Sequence, residues 1–267
     1  MIPIDGGVRD RTERIELPWN ALGLDPYGIS KSRVAEMFTL FSLLYRHYFR
    51  VSTYGAENIP SRGRAMIIGN HCGGIAVDAA MVITSTFLEL DPPRLAQGMA
   101  EKFINRMPFA SMFAMRTGQF PGLPETAERL LNEERLLMVF PEGARGTAKL
   151  YWERHSLVEF GTGFMRLAMK TGSPIIPAGI LGGGEAIPTV LNSASLGKLL
   201  GVPYVPFTPY LLALPLPAKM EIRYGAPMRF EGTGSEDDEV VLANVDQVKR
   251  AVASLMAEGI RSRERAQ

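Results

Sequence analysis

Cysteine is almost missing from this chain. Cys72 is the only one in 267 residues, so no internal disulfide can form. That suits a reducing compartment. Histidine is scarce too. His47, His71 and His155 lie far apart, and with one Cys they do not give the spacing of a structural zinc site. No excess of one charge exists: 29 Lys and Arg balance 28 Asp and Glu, so nothing points to nucleic acid. No apolar run approaches the roughly 20 residues of a spanning helix. The opening Met1-Ile2-Pro3-Ile4-Asp5-Gly6-Gly7 lacks the basic and apolar regions of a signal peptide. A Gly-x-Ser-x-Gly elbow is absent, which weighs against a serine hydrolase. Gly182-Gly183-Gly184 is not followed by Lys-Ser or Lys-Thr, so it is no nucleotide loop.

What is present centres on residues 69–78. The apolar run Ala65-Met66-Ile67-Ile68 reads as a buried strand that ends in Gly69-Asn70-His71. Ala79-Ala80-Met81-Val82-Ile83 reads as a helix, with Asp78 just before it. A His and an Asp thus flank one strand-to-helix junction, where α/β folds usually place their sites. Seven positions of unbroken helix would separate them by about 10 Å. Gly73-Gly74 can fold the chain back. The expectation is a loop through Gly73-Gly74, a helix from near Ile75, and Asp78 in its first turns, favoured there by the helix dipole. A loop His beside an unrelated helix Asp is the alternative.

A second strand, Arg135-Leu136-Leu137-Met138-Val139-Phe140, runs into Pro141-Glu142-Gly143-Ala144-Arg145-Gly146. Arg145 could present a fork of donors to a phosphate or carboxylate, and Glu142 could hold that Arg or a substrate hydroxyl. A surface ion pair of little energetic weight is the plainer reading. Further strands are expected at 50–54, at Pro174–Ile180 and at 219–224, with a short one near 94–97. Helices are expected over 30–49, 79–90, 103–115, 125–134, 157–171 and 240–256. Strands alternating with helices imply one α/β domain, a largely parallel mixed sheet flanked by helices.

The organisation that follows is a polar arm over 1–30, a domain over 31–258 and a frayed tail over 259–267. The 30–49 helix carries Val34, Met37, Phe38, Phe41, Leu44, Tyr45 and Tyr48 on one face, with Arg46, His47 and Arg50 at its end. It either packs on the core or rests on a bilayer. Residues 186–217 form an apolar insert broken by Pro188, Pro203, Pro206, Pro209, Pro215 and Pro217, without regular structure. It could line a greasy pocket, meet a membrane, mediate a dimer or simply cover core.

Asn70-His71 with a following Asp, then Phe140-Pro141-Glu142-Gly143-Ala144-Arg145, then Pro174-Ile175-Ile176-Pro177, resembles the phospholipid and glycerol acyltransferase superfamily over about Arg50–Pro227. Two departures stand out. Six residues, not four, separate His71 from Asp78, and Ala76 occupies the usual Asp position. Gly118-Gln119-Phe120-Pro121-Gly122 stands where the superfamily often has an acceptor-binding Arg, so the pattern does not point to glycerol 3-phosphate or lysophosphatidate. The loops look more like the branch related to monoacylglycerol and diacylglycerol acyltransferases.

The resemblance implies a membrane-associated O-acyltransferase using His71 and Asp78, without a metal or resident cofactor. Asn70, Gly73, Gly74, Glu142, Gly143 and Arg145 would bind substrate. The implied partners are acyl-CoA or acyl carrier protein as acyl donor, a lipid acceptor, and a peripheral contact with the cytoplasmic face of a membrane. Two rivals stand beside it: a thioesterase using Cys72 as nucleophile, and a non-catalytic lipid-binding homologue.

Overall fold

The computed structural model describes residues 3–100, 108–211 and 214–265. Its strands are β1 (Ser52–Tyr54), β2 (Ala65–Gly69), β3 (Gln97–Ala100), β4 (Phe120–Pro121), β5 (Leu136–Val139), β6 (Ile175–Leu181), β7 (Leu191–Ser193), β8 (Val205–Phe207) and β9 (Glu221–Tyr224). The helices are α1 (Gly6–Glu13), α2 (Lys31–Leu43), α3 (Val77–Leu88), α4 (Pro108–Arg116), α5 (Pro124–Asn132), α6 (Ala144–Thr147), α7 (Gly163–Thr171), α8 (Gly183–Ala186), α9 (Ala194–Leu200) and α10 (Asp238–Arg265). The first part of the helix expected over 103–115 (residues 103–107) and residues 212–213 of the insert lie outside the described residues.

Seven strands form one sheet in the order β1-β9-β6-β2-β5-β3-β4. β6, β2, β5, β3 and β4 are mutually parallel, while β9 pairs antiparallel to β6 and parallel to β1. The sheet is therefore mixed and largely parallel. Every residue of β2 and β6 is buried, as strands covered on both faces require. Helices α5, α7 and α10 pack together in one layer, and α1 to α4 in another.

The short strand expected near 94–97 runs instead over Gln97–Ala100, and the fold departs further from expectation in four places. Residues 157–162 are not helical. Val158 donates its N–H to the Glu142 carboxylate, and Gly161 donates to the Pro141 carbonyl, so this stretch is pinned to the β5 loop before α7 can start. The 1–30 arm, read above as polar, carries a helix packed on the domain. Asp5 caps α1, whose Val8 and Thr12 are buried, and Arg11 donates to the Phe87 and Leu90 carbonyls at the end of α3. The 259–267 tail is not frayed across its described part. α10 continues to Arg265, and Arg263 is held by the Lys219 carbonyl at 3.1 Å and Glu221 at 3.7 Å. Finally, the 186–217 insert is structured. β7 and β8 pair antiparallel around α9, and Pro206 is tolerated in β8 because a two-stranded ribbon has only edges.

The long apolar face expected on 30–49 does pack inward. Val34, Met37, Phe38 and Tyr45 are buried, while Leu40, Leu43 and Tyr48 are exposed. After Leu43 the helix widens into a π-helical turn, Leu44–Tyr48.

Candidate active site

Three loops meet at the C-terminal edge of the parallel strands. β2 releases Asn70-His71, its neighbour β5 releases Phe140–Arg145, and β6, on the other side of β2, releases Gly182-Gly183-Gly184. Adjacent parallel strands make this convergence unavoidable, because their C-terminal ends lie side by side.

Asn70 fixes the first loop. Its Nδ2 donates to the Ile180 carbonyl at 2.9 Å, and its Oδ1 accepts the Ile180 N–H at 2.7 Å. Asn70 is buried and spent on β6, so the expectation that it touches substrate is corrected: it ties β2 to β6.

His71 follows. Its Nδ1 lies 2.8 Å from Asp78 Oδ2. The six-residue spacing is absorbed in the way glycine permits. Gly73 has φ +100° and Gly74 φ +67°, and α3 begins at Val77, which sets Asp78 in its first turn. A Cβ on Gly73 would collide with the Gly183 carbonyl. Asp78 is buried and further held by the N–H groups of Cys72 at 2.9 Å and Ala79 at 2.8 Å. The imidazole stacks on Phe140, with ring centroids 4.2 Å apart and planes 12° from parallel. Its Nε2 makes no hydrogen bond among the described residues, and neither does the Gly73 N–H. The Gly74 N–H is taken by the Thr147 carbonyl at 3.0 Å.

Glu142 is wholly buried. It accepts from the His71 N–H at 3.2 Å and the Val158 N–H at 3.2 Å, and it pairs with Lys149 Nζ at 2.5 Å. Lys149 also donates to the His71 carbonyl at 3.0 Å. The expected role of Glu142 in contacting substrate or Arg145 is thus corrected. Glu142 and Lys149 clamp the backbone of His71 from beneath. Gly146 lets the two loops close up, since a Cβ there would sit 2.8 Å from Glu142 Cβ and 2.9 Å from His71 Cβ. Gly143 makes the turn, its N–H donating to the Phe140 carbonyl at 3.0 Å. Arg145 is exposed and donates to the Glu159 carbonyl at 3.0 Å.

The acyltransferase family model matches residues 50–181, which run from the lead into β1 to the end of β6 and include the His71 and Glu142 loops. The chain belongs to the acyltransferase family. Relatives include uncharacterized proteins of Mycobacterium tuberculosis and Mycobacterium bovis, each 32% identical over 240 residues, covering 86% of this chain. One from Mycobacterium leprae is 31% identical over the same length. The chain spans 66% of the length of the first two and 64% of the third. The fold is that of the 1-acyl-sn-glycerophosphate (LPA) acyltransferase PlsC from Thermotoga maritima, at a TM-score of 0.58 and 19% identity, covering 94% of this chain and 88% of that one.

Within this acyltransferase-family site, Cys72 is a poor nucleophile. It is buried, its backbone serves Asp78, and burial together with the Asp78 charge pushes its thiol up to about 12. Sequence reasoning passed over Lys149. The signal available was a Lys seven residues beyond Glu142 in the same loop, but spacing alone did not say that the loop doubles back. It also passed over Tyr204, whose hydroxyl donates to Thr147 Oγ1 and reaches the Gly74 carbonyl at 3.4 Å. Glu185, in the third loop, lies 3.3 Å from both Arg154 Nε and His155 Nε2. Burial would raise its carboxyl, but His155, its own backbone amide and Arg263 outweigh that and hold it at about 2.

Proposed function

We propose that this protein is an O-acyltransferase that moves a fatty acyl group from an acyl thioester to a lipid hydroxyl. The observation that carries the reading is the His71–Asp78 pair, 2.8 Å apart at a strand edge, with the far nitrogen of the imidazole open. His71 Nε2 takes the proton of the acceptor hydroxyl as its oxygen attacks the thioester carbonyl carbon. Asp78 keeps the proton on Nδ1 and stabilises the imidazolium. The Gly73 N–H is the available donor for the oxyanion. Collapse of the tetrahedral species breaks the carbon–sulfur bond, and the departing thiolate takes the proton back from His71. No acyl-enzyme forms, so no nucleophilic side chain is needed.

The 118–122 segment supports an uncharged acceptor such as monoacylglycerol or diacylglycerol. It offers no cation: Gln119 Oε1 accepts the Gly98 N–H at 2.9 Å, and its Nε2 donates to Thr117. The donor is acyl-CoA or acyl carrier protein, with Arg145, exposed beside the second loop, available for a carrier phosphate. Among the described residues no helix is long and apolar enough to cross a membrane, which fits peripheral access to lipid.

The test is thiol release from palmitoyl-CoA with lysophosphatidate, monoacylglycerol and diacylglycerol as acceptors. Acceptor-dependent release should fall by about a thousandfold in His71→Ala. Release that needs no acceptor and survives His71→Ala would overturn the reading.

A further inference from the structure

Residues 186–220 contain Lys198 and Lys219 but no Asp or Glu, and residues 37–56 contain Arg46 and Arg50 but likewise no acid. The fold joins these two stretches. The Tyr48 hydroxyl donates to the Pro215 carbonyl at 2.6 Å, and Arg50 donates to the Pro217 carbonyl at 2.6 Å. Along the joined segments Leu191, Leu199, Leu200, Leu211, Leu214 and Tyr48 are exposed, Leu199 at 80% and Leu211 at 75%. Arg46, Lys198 and Lys219 are exposed among them. Large apolar side chains left in water on two stretches whose own charges are all basic are what an anionic lipid surface complements, although Glu89, bonded to Tyr45, and Glu153, next to Trp152, stand at its border.

The same stretch is moored to the catalytic loops. Asn192 Nδ2 donates to the Ala148 carbonyl at 2.6 Å, Tyr151 N–H to the Thr189 carbonyl at 2.7 Å, and Tyr204 to Thr147. At that junction Ile75 and Trp152 are exposed as well. An apolar surface is thus built onto the rim of the loops that hold His71.

We infer that the β7–α9–β8 insert and the turn after α2 together form a docking surface for the anionic face of a bilayer, seating the site at the level of its lipid acceptor. The inference rests on the lipid-acceptor reading above and names how that acceptor is reached. A membrane binds here by burying leucines, with the basic side chains adding an attraction that salt screens.

Co-sedimentation of the full chain with vesicles tests it. The wild type should sediment with phosphatidylcholine–phosphatidylglycerol vesicles, less with phosphatidylcholine alone, and less at high salt. The Leu199→Ser/Leu200→Ser double variant should lose at least about tenfold in partitioning, and Lys198→Glu about fivefold on anionic vesicles only. Both should keep the wild-type circular dichroism spectrum and the wild-type rate with a short-chain, water-soluble donor and acceptor. His71→Ala should bind vesicles as the wild type does. Vesicle binding without thioester turnover would keep this surface and sink the catalytic reading; turnover without vesicle binding would do the reverse. Equal partitioning of the wild type and the double leucine variant would overturn the surface. So would a wild-type dimer that the leucine changes turn into a monomer, because a second copy would then be the occupant.

Discussion

Single side chains divide the catalytic reading from its rivals. Asp78 makes three hydrogen bonds, to the His71 ring and to two backbone amides. Asp78→Asn keeps the size but can present an amide N–H to Nδ1, which selects the wrong imidazole tautomer. We expect acyl transfer to fall by about a hundredfold to ten-thousandfold with the fold intact, read as initial rates beside an unchanged melting curve. Cys72→Ala should leave transfer within a few-fold of wild type. With its thiol raised to about 12 by burial and by Asp78, Cys72 should also resist iodoacetamide at neutral pH until the protein is unfolded. Rapid labelling of the folded chain, or loss of turnover in the alanine variant, would bring the thioesterase back.

Elements explain what could be read in advance and what could not. β2, β5 and β6 were legible because each is an apolar run bounded by Gly or Pro, the signature of a strand buried on both faces. The loop through Gly73-Gly74 was legible because seven positions of helix cannot close a 2.8 Å contact, and paired glycines offered the alternative. The interior partners of Glu142 were not. Lys149 reaches it only because α6 turns the chain back, and nothing in local periodicity reports that turn. The ribbon β7–β8 was hidden by its prolines, which argue against strands until both strands prove to be edges. The clamp makes its own prediction. Lys149→Met strands the wholly buried Glu142 carboxylate, so unfolding in urea should show a loss of about 3–5 kcal/mol. Glu142→Gln combined with Lys149→Met should recover part of it, since no unpaired charge remains. A single variant as stable as wild type would show that the Glu142–Lys149 pair does not hold the loop.

At the scale of the whole molecule, α10 packs along β6 and β9, and its last turns reach Glu185 and Glu221 through Arg263. Glu185 is the titrating link in that brace. Its folded-state value is depressed to about 2 from an ordinary 4.5, so ionised Glu185 favours the fold. That contribution is full above the ordinary value and is lost as pH falls through the folded one. Melting temperatures of wild type and Glu185→Gln should therefore differ at neutral pH and converge as pH drops from about 4.5 toward about 2; a constant gap would show that the link does not titrate. The bond between Asn70 and Ile180 spans 110 positions of chain, and that span sets an order of events during synthesis. His71 and Asp78 leave the ribosome early, while the strand that anchors their loop arrives much later. A nascent chain stalled before Ile175 should be inert toward thioesters even though both residues are already made. On the reading proposed above, thioester turnover should appear only in chains long enough to include β6, so that a half-made chain would spend no acyl donor.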